Sequence, residues 1–330
     1  MRALITGATG FIGNALAKRI SDNNFNVICT GRDPKKLENF ASNRFKREYL
    51  DIRDRNMVKK IFEQDKPEIV FHCAARTEYC SKKLLDETNI EGTRNILDAC
   101  LLHHVKKAVY LSSLSVISAN RCIFLTEDLP YSAANNYGAS KVEAEKLAIS
   151  YREKGLQIAI LRPAMVYGEN DTHAFSLLID LVKKRLFPVI GKGENRFPLV
   201  YINNLIDVME LSLSNDAIYE GVYIVSDSEA VSTKQLLKYI ADFWGVRSPI
   251  ELPSFLMPLF CSLPFLGKRF SLFFEDKVCS IQRLRNRLNY APRIPLCDGL
   301  RKTVYFHKQY GESGVLKDFI YRFRNNLFNW

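Results

Sequence analysis

Tyr137 and Lys141 stand four residues apart in Tyr137-Gly138-Ala139-Ser140-Lys141. On a helix that spacing puts a phenol and an ammonium on one face, and a neighbouring positive charge favours the phenolate. Moving a phenol from a pKa of about 10 to about 7 takes roughly 4 kcal/mol of preferential stabilisation. Lys141 and a cationic cofactor ring together can supply it, which makes Tyr137 both an acid and a base near neutral pH. About two dozen residues upstream, Ser112 and Ser113 end an apolar run from Val109 to Ser113, and a hydroxyl there can hold a reacting oxygen. The set suits hydride chemistry at a secondary alcohol or ketone.

A hydride needs a carrier. Gly7, Gly10 and Gly13 in TGATGFIG follow the first apolar run and open the first helical pattern, the context in which a glycine pattern marks a dinucleotide turn. Glycine lets backbone approach a pyrophosphate, and the helix start offers unpaired N–H groups and a positive dipole end. Where an acidic residue would serve a ribose 2′-hydroxyl, the second run ends Cys29-Thr30-Gly31-Arg32. Arg32 suits a 2′-phosphate, with Lys35 or Lys36 in support, so NADP(H) is the expected cofactor and NAD(H), through Asp33, the alternative. Asp51 follows the third predicted strand, where its carboxylate accepts from an adenine amine or caps the next helix. His72-Cys73-Ala74-Ala75 ends the fourth strand in small residues that let a dinucleotide lie close; His72 itself reads as a satisfied core histidine.

These residues need a scaffold that gathers strand ends. Short apolar runs (Ala3 to Thr6, Asn26 to Thr30, Ile69 to Cys73, Ala108 to Ser112, Gln157 to Arg162) alternate with helical patterns such as Asn14 to Ser21 and Val142 to Tyr151. That alternation means an α/β fold with a doubly wound, Rossmann-type parallel sheet, which binds ligands at the carboxyl ends of its strands. Past Gly168 the pattern predicts a helix over Phe175 to Lys184, an extended stretch from Arg196 to Ile202 and a helix over Asn204 to Leu213. A strand over Gly221 to Val225 and a helix from Val231 toward Trp244 follow. The expected division is a dinucleotide-binding domain over 1–167 plus 198–226 and a smaller C-terminal α/β substrate lobe over 168–197 plus 227–308. In the tail, 309–330, Val315, Phe319, Phe323, Leu327 and Trp330 recur on one helical face. Such an amphipathic helix docks on its own protein or a second subunit, or lies in a membrane interface.

Composition narrows the partners. The chain has 330 residues, 47% apolar and 25% charged, enough for two lobes with a packed core. Lys plus Arg outnumber Asp plus Glu by 47 to 36, a formal +11, which favours phosphorylated ligands or an acidic surface. The excess is scattered, with no basic run interleaved with aromatics, so no nucleic-acid partner is expected. Eight cysteines show no C-x-x-C pair and no metal-ligand spacing; no metal is expected, and the thiols read as buried and free in a reducing cytosol. An apolar strand directly after Met1 and Arg2 leaves no room for a signal peptide. The most apolar segment, Ser254 to Leu266, contains Pro258 and Pro264 and is shorter than the roughly 20 residues of a spanning helix. The expectation is a cytoplasmic protein, peripheral at the inner membrane face if the tail lies there.

In order along the chain, TGATGFIG, HCAA, LSSLSV, YGASK and LRPAMVYG resemble the motifs of the extended short-chain dehydrogenase/reductases, the NAD(P)-dependent epimerase/dehydratase type, over about residues 1–308. The resemblance implies Tyr137 as acid/base, Lys141 on the ribose hydroxyls and tuning Tyr137, Ser113 polarising the substrate oxygen, and Asn89, in NIEGT, supporting the site. It sets Gly7, Thr9, Gly10, Phe11, Ile12, Gly13, Arg32, Asp51, Ile52, Ala74, Ala75 and Pro163 along the cofactor. Thr77 and Arg196 fall on the substrate, Arg196 at a phosphate, and two copies pair through the helices near 92–104 and 138–151.

GKGENRFPLVYINNLIDV and SDSEAVSTKQLLKYIADFWG resemble segments of bacterial nucleotide-sugar C4 ketoreductases and 4-epimerases. The usual paired aspartates are Asn203 and Asn204 here, as in steroid-dehydrogenase-like relatives. The reaction expected first is NADP(H)-dependent reduction of a 4-keto nucleotide sugar at C4. The alternatives are a sugar 4-epimerase with tightly held NAD, on a UDP-sugar or a polyprenyl-diphosphate-linked sugar, a 3β-hydroxysteroid-like dehydrogenase, and a dinucleotide-sensing protein without turnover. A 4,6-dehydratase would want an acidic pair beside the serine; Leu114 and Ser115 follow Ser113, so dehydration is not expected.

Overall fold

The computed structural model describes residues 1–21, 25–38, 45–77, 80–171, 174–256 and 275–311. Seven strands form its main sheet: β1 (Arg2–Thr6), β2 (Asn26–Gly31), β3 (Phe45–Tyr49), β4 (Ile69–His72), β5 (Lys107–Leu111), β6 (Gln157–Pro163) and β7 (Val222–Val225). Their order is β7-β6-β5-β4-β1-β2-β3, and every pairing is parallel. Ala3, Leu4 and Ile5 are fully buried, as a central parallel strand covered on both faces requires. Chain order runs outward from β1 through β2 and β3, then restarts on its other side at β4. A crevice opens at such a reversal, beyond the strands' carboxyl ends.

Helices cover both faces. α1 (Phe11–Ser21) buries Gly13, Leu16, Ala17 and Ile20, a three-to-four stripe that faces the sheet. α2 (Arg55–Asp65) starts at Asp54, whose side chain accepts from the N–H groups of Asn56 and Met57. The cap is therefore Asp54, not Asp51, because only Asp54 stands where its carboxylate meets the unpaired N–H groups of the first turn. α3 (Gly92–Leu102) and α4 (Asn136–Glu153) lie over β4 and β5.

Past β6 the chain alternates between the sheet and a smaller helical layer. α5 (Ala174–Lys183) and α8 (Leu296–Tyr310) both pack on α7 (Thr233–Trp244). α6 (Ile202–Leu211) lies against α1, where Arg19 bonds Asp207 at 2.6 Å and Glu210 at 2.9 Å. Residues 198–226 thus contribute α6 and β7 to the layers around the main sheet. The stretch read as continuous from Arg196 to Ile202 is broken at Pro198, which has no N–H to offer a ladder. Arg196–Phe197 pairs antiparallel with Val231–Ser232, whereas Leu199–Tyr201 pairs parallel with Met165–Tyr167.

One apolar cluster holds Ala3 and Ile5 of β1 together with Leu178 of α5, Leu236 and Ile240 of α7 and Val304 of α8. A second fills the opposite face with Leu4, Val70, Ile96, Ala144 and Ala148. The two lobes expected from the sequence therefore share a core. Among the described residues no helix is long and apolar enough to cross a membrane. The amphipathic pattern of the tail and most of the Ser254 to Leu266 segment lie outside the described residues. Of the cysteines, Cys29 and Cys100 are buried and Cys122 is exposed, with the other described ones between, so burial of the thiols is less general than expected.

Candidate active site

The first turn of the crevice is built by glycine. Gly7 has φ +69°, and a Cβ there would meet the Cα and N of Ala74 at 2.8 Å; a Cβ on Gly13 would lie 2.4 Å from the Gly7 carbonyl oxygen. The first contact seats the glycine turn against the end of β4, and the second closes α1 onto the turn. Thr9 packs on Gly31 at the end of β2, while Phe11 faces Gly168 and Ile202. Ile12 is half-buried and packs against the larger apolar cluster. Gly10 stays exposed at the start of α1, as a helix end that receives an anion must.

Asn135 caps α4 by accepting from the N–H of Gly138 at 2.8 Å. Gly138 brings that helix onto the end of β5: a Cβ would lie 2.9 Å from the Ser115 carbonyl oxygen. Tyr137 is thereby set beside the turn that carries Ser113, two residues past the end of β5. The Ser113 oxygen accepts from the Ser115 N–H at 3.2 Å and from its hydroxyl at 2.9 Å, which leaves the Ser113 proton to donate. Ser112 is not its equal. It is buried and donates to Glu145 at 2.5 Å.

Lys141, one turn along from Tyr137, is 2% exposed. Its Nζ donates to the Leu111 carbonyl at 2.7 Å and sits 4.4 Å from the centre of the Tyr110 ring. Burial lowers its pKa to about 7, against the opposing pull of Glu145 and Cys73. The permanent ammonium assumed from the sequence is thus a group poised to gain or lose its proton near neutrality. Glu145, the next turn of α4, had no role in the sequence reading. Fully buried, it pairs with Arg162 at 2.6 Å and accepts from Tyr131, fastening α4 to β6 beneath the site. Its spacing of four from Lys141 was the available signal.

Asn89 lies in a π-helical turn, Asp86–Glu91, that runs into α3; such turns recur at functional sites. Its amide accepts from the Arg76 N–H at 2.7 Å and donates to the Arg76 carbonyl and the Ser140 hydroxyl, each at 2.9 Å. Asn89 therefore clamps the loop after β4 to the Tyr137 helix, as a positioning residue. A buried relay steadies it. Thr93 donates to the Asn89 carbonyl at 2.6 Å, so its oxygen accepts from His72 Nε2 at 2.9 Å, and Nδ1 accepts from Thr6 at 2.7 Å. Burial, with Lys141 nearby, pushes the His72 pKa down to about 3. His72 is the satisfied core histidine that its strand position predicted.

At the other end of the crevice, Arg53 grips both oxygens of Asp51, at 2.6 to 3.1 Å, and holds its carboxyl below the usual range. Ile52 is 3% exposed and faces Gly92, so its side chain belongs to the core. Arg32 is exposed and, among the described residues, has no ion pair. Arg76, absent from the sequence reading although it directly follows HCAA, has a buried Nε without a partner. Ala74 donates its N–H to Thr6, and Ala75 and Thr77 are exposed. Pro163, buried, closes β6. The glycine cradle and the unpartnered guanidinium fit a dinucleotide.

Two substrate-side expectations change. Arg196 pairs with Asp276 through two bonds of 3.0 Å, and its N–H also donates to that carboxylate, so a substrate phosphate has to share its guanidinium with this partner. Asn204 is fully buried and donates to Asp227 at 2.8 Å and to the Ile294 carbonyl at 2.9 Å. An aspartate there would face Asp227 as a like charge. Asparagine at 204 is accounted for by packing.

The sequence profile of the NAD dependent epimerase/dehydratase family matches residues 3–225. The UDP-glucose 4-epimerase of Vibrio cholerae is 27% identical over 319 residues, covering 91% of this chain and 94% of that protein. The N-acetyl-alpha-D-glucosaminyl-diphospho-ditrans,octacis-undecaprenol 4-epimerase of Escherichia coli O157:H7 is 26% identical over 257 residues, 76% of this chain and 75% of its own. In structure, the UDP-glucose 4-epimerase of Thermotoga maritima, solved with UDP-glucose, superposes with a TM-score of 0.79 over 94% of this chain and 99% of that one. At 23% identity that likeness speaks for the fold.

Proposed function

Because the chain belongs to the NAD dependent epimerase/dehydratase family, we propose that it epimerises C4 of a sugar carried on a diphosphate, whether a UDP-sugar or a polyprenyl-linked one. The observation that supports this reading is that Gly138, beside Tyr137, packs on the Ser113–Ser115 turn while Lys141 bonds the Leu111 carbonyl at the carboxyl end of β5, across β4 from the glycine turn. The likeness to two 4-epimerases over most of the chain supports it. When bound, the nicotinamide supplies the acceptor and donor of hydride. Tyr137 removes the proton of the C4 hydroxyl and returns it, and Lys141 shifts that phenol toward the working range. Ser113, its lone pairs engaged by Ser115, donates its hydrogen to the C4 oxygen. Asn89 holds the loop after β4 and Ser140 in register.

A second reading, the NADP(H)-dependent reduction of a 4-keto nucleotide sugar, is favoured by Arg32 at the end of β2. One pair of assays separates them. Purified protein incubated with UDP-glucose or UDP-N-acetylglucosamine, followed by NMR, should yield the C4 epimer with no net change in cofactor absorbance, and Tyr137→Phe should slow this by about 10²- to 10⁴-fold. NADPH consumption with a UDP-4-keto-6-deoxy-hexosamine and no epimer would establish the reductase. Neither activity, in folded protein with cofactor bound, would refute C4 chemistry on UDP-sugars.

A further inference from the structure

We propose that Arg76 is the second arm, with Arg32, of a site for the 2′-phosphate of an adenine dinucleotide, an inference that rests on the dinucleotide reading of the crevice. β2 and β4 flank β1, so the residues just past their ends face each other across the glycine turn. Arg32 stands where the ribose 2′-group is read. Arg76 follows Ala75, two residues beyond the Ala74 backbone against which Gly7 is seated.

The three arginines at this end differ in how they are satisfied. Arg53 is fully engaged by Asp51. Arg32 and Arg76, among the described residues, bond no carboxylate, and the Arg76 Nε is buried with no acceptor at all. A buried guanidinium nitrogen without a partner is costly. Arg32 also lies close enough to Arg76 that, after burial, the charge of Arg76 is what most lowers its pKa. Asp51 opposes that effect on Arg32, but its carboxylate is already gripped by Arg53; an incoming dianion relieves the remaining repulsion, and guanidinium forks match phosphate oxygens in pairs. The backbone is fixed for this purpose, since Asn89 holds both the N–H and the carbonyl of Arg76.

That clamp touches only the Arg76 backbone, so side-chain variants keep it. Calorimetric titration of the full chain with 2′,5′-ADP and with 5′-AMP isolates the 2′-phosphate. The wild type should bind 2′,5′-ADP at least about tenfold more tightly. Arg76→Gln should reduce that preference about 10- to 100-fold, the effect of one charge-assisted contact, while its affinity for 5′-AMP stays within about threefold and its melting temperature is unchanged. Arg76→Lys should recover part of the preference. An intact preference in Arg76→Gln, an equal loss for both nucleotides, or no preference in the wild type would each overturn the proposal. If the wild type binds neither nucleotide, the dinucleotide reading falls with it.

Discussion

Replacing Lys141 by methionine should stabilise the folded protein while removing its chemistry. Lys141 is 2% exposed, and burial brings its pKa to about 7, whereas an unfolded lysine titrates near 10.4. At pH 7 that difference corresponds to about 4 kcal/mol acting against folding. The bond to Leu111 and the contact with Tyr110 return about 2 kcal/mol, so methionine should leave the protein about 2 kcal/mol more stable. The native pKa lies below the unfolded one. Between about pH 7 and 10 the unfolded chain therefore holds the extra proton, and wild-type stability gains from Lys141 as pH rises. Guanidinium chloride unfolding of both proteins at pH 7 and pH 9 measures this as a gap that narrows by about 2 kcal/mol. The buried thiol of Cys29, raised to about 12, pulls the other way in both proteins and cancels in the difference, while Cys73, which burial raises to about 12 against the pull of Lys141, stays protonated through pH 9 with or without that lysine. A gap independent of pH would show that Lys141 keeps an ordinary proton affinity and would refute the reasoning.

Other perturbations test the frame around it. Gly13→Ala places a methyl 2.4 Å from the Gly7 carbonyl oxygen, so the turn must open; NADH fluorescence titration should show at least about a tenfold loss of affinity, and wild-type binding would contradict the close-packed turn. Asn89→Ala breaks three bonds and should destabilise by roughly 2 to 4 kcal/mol, with kcat falling far more than KM changes; an unchanged kcat would mean that the loop and α4 keep their register without it.

The alternation of runs and helices was enough to read the sheet, because parallel strands buried on both faces are continuous apolar segments. The Tyr137 helix and the glycine turn were legible for a similar reason: each depends on residues adjacent in the chain. What escaped was assembled across the fold. Asn89 reaches Arg76 and Ser140 over separations of 13 and 51 residues, and nothing local to Arg76 marks its Nε as unpartnered. Asp51 and Asp54 are equally good caps on paper, and only the strand's actual end decides between them. Arg196 and Asp276 are 80 residues apart, so the pair that occupies Arg196 could not be read from its own segment.

The apolar cluster that joins β1 to α5, α7 and α8 bears on how this architecture diversifies. A substrate lobe with its own core could be exchanged between relatives like a cassette, or could melt separately. Here Ile5 and Ile240 belong to the same cluster, so the two regions should unfold in one cooperative step. A transplanted lobe would have to bring matching shapes for the sheet it rests on, which steers changes of specificity toward point replacements in the crevice and away from wholesale recombination.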